Sequence, residues 1–220
     1  MHPGYLSNAY LVADGTSGAA VFIDSGAPLE TLLSAVERHS VTPRAILRTH
    51  AHGDHVEHED ELRSLYGIDV VTGAAEYGGL RIAALATPGH SDDHVTFVIN
   101  DEACFSGDIL FKDAVGGTRD DFASVKRSVM DVLMKLPHET RVLPGHTDET
   151  TIGREWEHNP FVRVWRGVDP EGSERVRVAG EEATLIVWSP DYDGKGKAWV
   201  RFADGRDAIV GGSRVSRGSS

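Results

Sequence analysis

The sequence predicts an α/β layered domain followed by a small all-β module. Three observations predict it. Short apolar runs alternate with helical patterns up to about residue 166, as they do where helices pack on sheets. A turn-rich stretch, Gly167-Val168-Asp169-Pro170-Glu171-Gly172, then interrupts the alternation. Beyond it only strand-like runs follow. The expected division is therefore a domain of residues 1–168 and a module of residues 169–220, with a frayed tail from residue 214. A chain of 220 residues can bury a core and carry such an appendage.

The elements follow in order. Two strands are expected at residues 10–13 and 19–24, joined by a glycine-rich turn at 14–18. Pro28 suits a helix start, and Leu29, Leu32, Leu33 and Val36 recur at helical spacing behind it. A brief buried strand at 45–47 leads to Thr49-His50. A second helix is expected from 55 to 66, stopped by Gly67. Strands follow at 69–71, 80–84, 95–99 and 103–105, with a hairpin turn at Asn100-Asp101-Glu102. Residues 122–136 form an amphipathic helix, with Val125, Val129, Val132, Leu133 and Leu136 on one face and Pro137 ending it. A strand at 141–143 and a short helix at 151–158 complete the domain. The module's strands are expected at 175–178, 183–188, 198–202 and 208–210, with a hairpin turn over 191–194.

Composition excludes several roles. The apolar fraction is 40% and charged residues make up 25%, ordinary for a globular protein. The formal charge of −12 opposes nucleic-acid backbones and anionic membranes, so neither is an expected partner. Cys104 stands alone, which rules out an intrachain disulfide. The N-terminal residues lack a basic and then apolar leader pattern, and a cytoplasmic location is expected. The unusual count is histidine, at 11. Histidine is the commonest protein metal ligand, so its placement is the informative question.

Thr49-His50-Ala51-His52-Gly53-Asp54-His55 has the form H-x-H-x-D-H, after a predicted strand and before a predicted helix. In an extended turn His50 and His52 point the same way and can share one metal. Asp54 and His55 are adjacent, diverge, and can reach a second. Three further candidates sit in similar turns after strands: His90 in Thr87-Pro88-Gly89-His90, Asp108 in Phe105-Ser106-Gly107-Asp108, and His146 in Leu143-Pro144-Gly145-His146. Glycine lets the backbone approach closely there, and an anionic Asp can bridge two cations.

These residues resemble the metallo-β-lactamase superfamily, and within it the glyoxalase II-like (hydroxyacylglutathione hydrolase-like) enzymes. The resemblance runs from about Asn8 to Trp165. It includes Ile23-Asp24-Ser25-Gly26, Gly107-Asp108-Ile109-Leu110-Phe111, and Thr151-Ile152-Gly153 with Asn159-Pro160-Phe161. It implies an αββα sandwich with metals at one edge of two sheets. It implies that His50, His52 and His90 hold a first metal, that Asp54, His55 and His146 hold a second, and that Asp108 bridges them. The cofactors would be two divalent metal ions, zinc first, with iron or manganese as alternatives. Asp54 and Asp108 would be the catalytic carboxylates. A metal-bound hydroxide would cleave a thioester or other activated acyl bond of a small-molecule substrate.

Asp108 separates the chain from true β-lactamases, and His52 from the flavodiiron branch. The helical glutathione-binding domain of glyoxalase II is replaced by the β module. Lys112 and Arg119 are candidates to grip an anionic substrate group. A single-iron persulfide dioxygenase is the first alternative. A lactonase and a non-catalytic, metal-stabilised scaffold are further ones. Oligomeric state is not legible. Asp24 is expected to brace its turn and Cys104 to fill core space. His94 reads as an ordinary loop histidine, and Trp188 and Trp199 as module core or as its contact with the first domain.

Overall fold

The computed structural model describes residues 1–15 and 18–217. Residues 16–17 of the expected turn and 218–220 of the expected tail lie outside the described residues. Two mixed sheets pack face to face with helices outside them.

The first sheet has four strands in the order β1 (Tyr10–Ala13), β2 (Ala19–Ile23), β3 (Thr42–Leu47) and β4 (Asp69–Val71). β2, β3 and β4 are mutually parallel. Their outer face is covered by α1 (Leu29–His39) and α3 (Glu59–Tyr66), where Leu32, Val36 and Leu62 meet Phe22 and Ile46. The expected 55–66 helix is two pieces, because α2 (Gly53–Val56) ends before His58 and α3 begins at Glu59. Gly67 closes α3 in the left-handed conformation, φ 64°, as its sequence position implied.

The second sheet has six strands. They run β12 (Thr150–Thr151), β11 (Arg141–Pro144), β8 (Ala103–Gly107), β7 (Val95–Ile99), β6 (Leu80–Ala86) and β5 (Ala75–Tyr77). The turn between β7 and β8 has both Asn100 and Asp101 at positive φ (54° and 61°), which suits a tight hairpin. The inner faces of the two sheets share a core of Val21, Ile23, Ala45 and Leu47 against Ile82, Phe97, Ile99 and Phe105. The sequence pattern missed β5 and the small hairpin β9 (Leu110–Phe111) and β10 (Ala114–Val115), all of them two or three residues long.

The other face of this sheet is covered by helices. The predicted 122–136 helix begins as α4 (Phe122–Arg127), loosens into a π turn at Ser128–Val132 and tightens to a 3-10 turn at Leu133–Lys135. The short α5 (Ile152–His158) is followed by α6 (Pro160–Trp165), which was not expected. Asn159 starts α6 by accepting from the backbone N–H groups of Phe161 and Val162.

The remaining strands form a five-stranded sheet in the order β16 (Asp207–Gly211), β15 (Lys197–Phe202), β14 (Glu181–Ser189), β13 (Glu174–Val178) and β17 (Val215–Arg217). The expected tail is corrected here. Gly212–Arg214 make a 3-10 turn, and β17 returns to pair with β13. Its residues carry too little apolar patterning to be read as a strand. Ile186, Val187, Trp199 and Ile209 of this sheet pack into the same core as α4–α6. Trp199 thus packs against Phe122 and Trp165 of the helical layer, whereas Trp188 is 40% exposed and lies under the Arg217 guanidinium. Cys104 is buried in the core as expected. Among the described residues, no helix is long and apolar enough to cross a membrane.

Candidate metal centre

Strand direction brings the expected ligands together. β6 and β8 are both antiparallel to β7, and β11 is parallel to β8. Their C-terminal ends therefore open at one edge of the sheet. His90, Asp108 and His146 follow those ends, and β3 delivers the 50–55 loop from the facing sheet. Crevices beyond strand C-termini are where α/β folds hold ligands.

One group comprises His50, His52 and His90. His52 Nδ1 lies 3.0 Å from His50 Nε2 and 3.0 Å from His90 Nε2. A single imidazole proton can satisfy only one of those contacts, whereas three lone pairs aimed at one point suit a cation. A second group comprises Asp54, His55 and His146. His146 Nε2 is 3.7 Å from Asp54 Oδ2, and His55 Nε2 is 3.6 Å from that same oxygen.

Asp108 lies between the two groups. Its carboxylate is 3.4 Å from His55 Nε2, 3.3 Å from His146 Nε2 and 3.6 Å from His90 Nε2. Asp108 Oδ1 and His55 Nε2 are buried without hydrogen-bond partners. Such atoms are costly unless something else binds them, so the donor set fits divalent cations. Gly145 is required here, because a Cβ on it would stand 2.1 Å from Asp108 Oδ1.

The outer ring nitrogens are held in turn. Asp24 sits at φ 56° after β2 and accepts three hydrogen bonds: from the Thr49 N–H, from the Thr49 hydroxyl (both 2.8 Å), and from His55 Nδ1 (2.7 Å). His90 Nδ1 donates to the Gly117 carbonyl at 2.9 Å. Such contacts fix which nitrogen faces a metal.

Burial opposes charge on His55, yet the flanking Asp108 and Asp24 carboxylates raise its pKa to about 11. Burial lowers the pKa of His50 and His90, favouring the neutral, ligating form. Burial also opposes charge on Asp108, but His146 and His55 hold its carboxyl well below the usual range.

His94 corrects the sequence reading. It is 1% exposed, and burial takes its pKa down to about 3. Its Nε2 accepts the Asp108 backbone N–H at 3.0 Å, and its Nδ1 lies 2.9 Å from the Thr87 hydroxyl. It therefore braces the turn that presents Asp108. Gly107, at φ 48°, permits that contact, since a Cβ there would stand 2.7 Å from His94 Nε2.

The two candidate substrate cations pair elsewhere. Lys112 Nζ lies 3.3 Å from Asp148, and Arg119 reaches Glu181 on β14 at 3.7 Å. Neither belongs to the cluster. The sequence reading also missed Tyr192, which stacks on His146 with ring centroids 3.9 Å apart. No local motif marks it, because it reaches the cluster from the C-terminal sheet.

Comparison with known proteins agrees with this geometry. The family model described as the metallo-beta-lactamase superfamily matches residues 2–77. A protein described as uncharacterized, from Aquifex aeolicus (strain VF5), is 32% identical over 193 residues, covering 70% of this chain and 90% of that protein. The chain belongs to the metallo-β-lactamase superfamily. Members of this superfamily are in general metal-dependent hydrolases. Hydroxyacylglutathione hydrolase GloC from Haemophilus influenzae (strain ATCC 51907 / DSM 11121 / KW20 / Rd) is 26% identical over 199 residues, covering 72% of this chain and 93% of GloC. The crystal structure of TTHA1623 in a di-iron-bound form superposes with a TM-score of 0.61 at 32% identity, covering 73% of this chain and 98% of that one.

Proposed function

We propose that this superfamily member is a dinuclear hydrolase that cleaves a thioester or other activated acyl bond of a small molecule in the cytoplasm. The observation that carries the reading is the pair of three-residue groups with Asp108 between them. The similarity to a hydroxyacylglutathione hydrolase and to a di-iron protein supports it.

His50, His52 and His90 would hold one cation, Asp54, His55 and His146 the other, and Asp108 both. Two such cations, when bound, acidify a water and polarise a carbonyl, supplying nucleophile and electrophile together. The chain's own residues do the rest. Asp24 holds the His55 Nδ1 proton, so that Nε2, once it has given up its own proton, would be the lone-pair donor. His94 fixes the Asp108 turn. His52 is exposed and Asp54 and His90 are partly exposed, so the acyl group approaches from that side.

Elemental analysis of natively purified protein, joined to a thioester panel, tests the reading. Two metal equivalents per chain, zinc before iron or manganese, with thioester turnover are expected. One equivalent of iron, with oxygen consumed in the presence of a thiol persulfide, would replace this reading by a persulfide dioxygenase.

A further inference from the structure

The C-terminal sheet reaches the metal centre through one loop. Between β14 and β15, residues 190–196 lean over the second group of ligands. Tyr192 stacks on His146 almost in parallel, at 9° between ring planes, and lies edge-on to Phe111 at 6.4 Å between centroids. Phe111 meets His146 edge-on at 5.7 Å. Two aromatic rings therefore wall one side of that ligand. Tyr192 remains 36% exposed, so part of it is open to whatever enters the site.

The loop is clamped at its base. Lys197 Nζ lies 2.9 Å from Asp191 Oδ2, and both side chains are buried. The ammonium sits 5.6 Å from the Phe111 ring centre and 5.7 Å from that of Tyr192. The Ser189 hydroxyl donates to the Asp113 carbonyl in the turn after Phe111. A buried ion pair, here between the loop and the first residue of β15, repays its desolvation cost only in a well-fixed geometry. Here it holds one geometry, with Tyr192 presented at His146.

The geometry points to Tyr192 as a specificity-determining residue, an aromatic wall that selects acyl or thiol ligands with an apolar or aromatic group beside the metal-binding function. The inference rests on the two-metal reading of the cluster. Asp191 and Lys197 are positioning residues for that wall. The C-terminal sheet is thereby part of the substrate site rather than an appended module.

Binding of two thiols tests this without any turnover. Mercaptoacetate presents a thiol and carboxylate alone, and 2-mercapto-3-phenylpropanoate adds an aromatic group. Both are titrated calorimetrically into the metal-loaded, full-length protein and into Tyr192→Ala and Tyr192→Phe. The wild type should prefer the phenyl-bearing thiol by about fivefold, the size of one aromatic contact. Tyr192→Ala should lose that preference while mercaptoacetate affinity and metal content stay unchanged, and Tyr192→Phe should keep it. Lys197→Met should also weaken the preference, because the loop loses its clamp. A wild type with no preference, a preference that survives in Tyr192→Ala, or a loss of metal in that variant each overturns the proposal. Failure of thioester turnover with the preference intact would instead remove the hydrolase reading and leave Tyr192 as the wall.

Discussion

The two groups of ligands at the sheet edge are built differently. One is made of three imidazoles, His50, His52 and His90, of which His52 is exposed and His90 partly so. The other is made of Asp54, His55 and His146. Its histidines are buried, and His55 is braced by Asp24. A carboxylate donor and a buried, oriented imidazole favour tight metal retention. Exposed imidazole donors favour exchange and access. We infer a holding side that retains its cation and a working side that exchanges its own, joined by Asp108.

Asp108→Asn breaks that contrast most completely. The side chain keeps its shape but loses the charge that faces His55, His90 and His146. Bound metal should fall below two equivalents, and activity should drop about a thousandfold, as expected for losing several kcal/mol of electrostatic support. Elemental analysis beside steady-state kinetics reads both. Two retained equivalents with full activity would mean that the two sides do not depend on Asp108.

Much of this centre was legible because metal ligation demands particular residue types on particular turns. His50 to His55 lie within one loop, and His90, Asp108 and His146 each follow a strand and a glycine. The supporting shell was less legible. Asp24 was readable as a brace, but its partners Thr49 and His55 are distant in sequence and meet it only because β2 and β3 are parallel neighbours. His94 looked like a loop residue because nothing local shows that its ring is buried beneath Asp108. Tyr192 was read as part of a plain hairpin turn, which it is, and Lys197 fell just outside the expected turn and strand; the role of both at the cluster depends on how the C-terminal sheet docks. The fold followed the same logic. Long periodic segments such as α1 were plain, whereas β5, β9, β10 and β17 are too short to carry a pattern.

Asp24→Ala should act mainly on the holding side. It leaves the Thr49 N–H buried without its acceptor and frees the His55 ring to turn. Affinity for one of the two metals should fall about 10- to 100-fold, the usual cost of removing such a brace. Unfolding free energy of the metal-free protein should fall by about 2–3 kcal/mol for the unpaired buried groups. Competitive metal titration and urea melts measure the two effects. An unchanged tighter metal site would show that Asp24 supports the chain alone.

His52→Ala should have the smallest effect on folding stability and falls wholly on the working side. His52 is exposed and its Nδ1 meets only His50 and His90. Removing it leaves two neutral donors on that side, with Asp108 shared, so one metal equivalent should be lost under mild chelation. The second should stay, because Asp54, His55, His146 and Asp108 are untouched. The buried His50 Nε2 loses one contact, so the metal-free protein should be less stable than the wild type by about 1 kcal/mol. The wild type sharpens the argument further. During stepwise chelation its two equivalents should leave in separate phases, and only the first phase should be missing from His52→Ala. If both equivalents instead leave together in the variant and the wild type alike, the two sides bind as a single unit, and the division between holding and working sides is wrong.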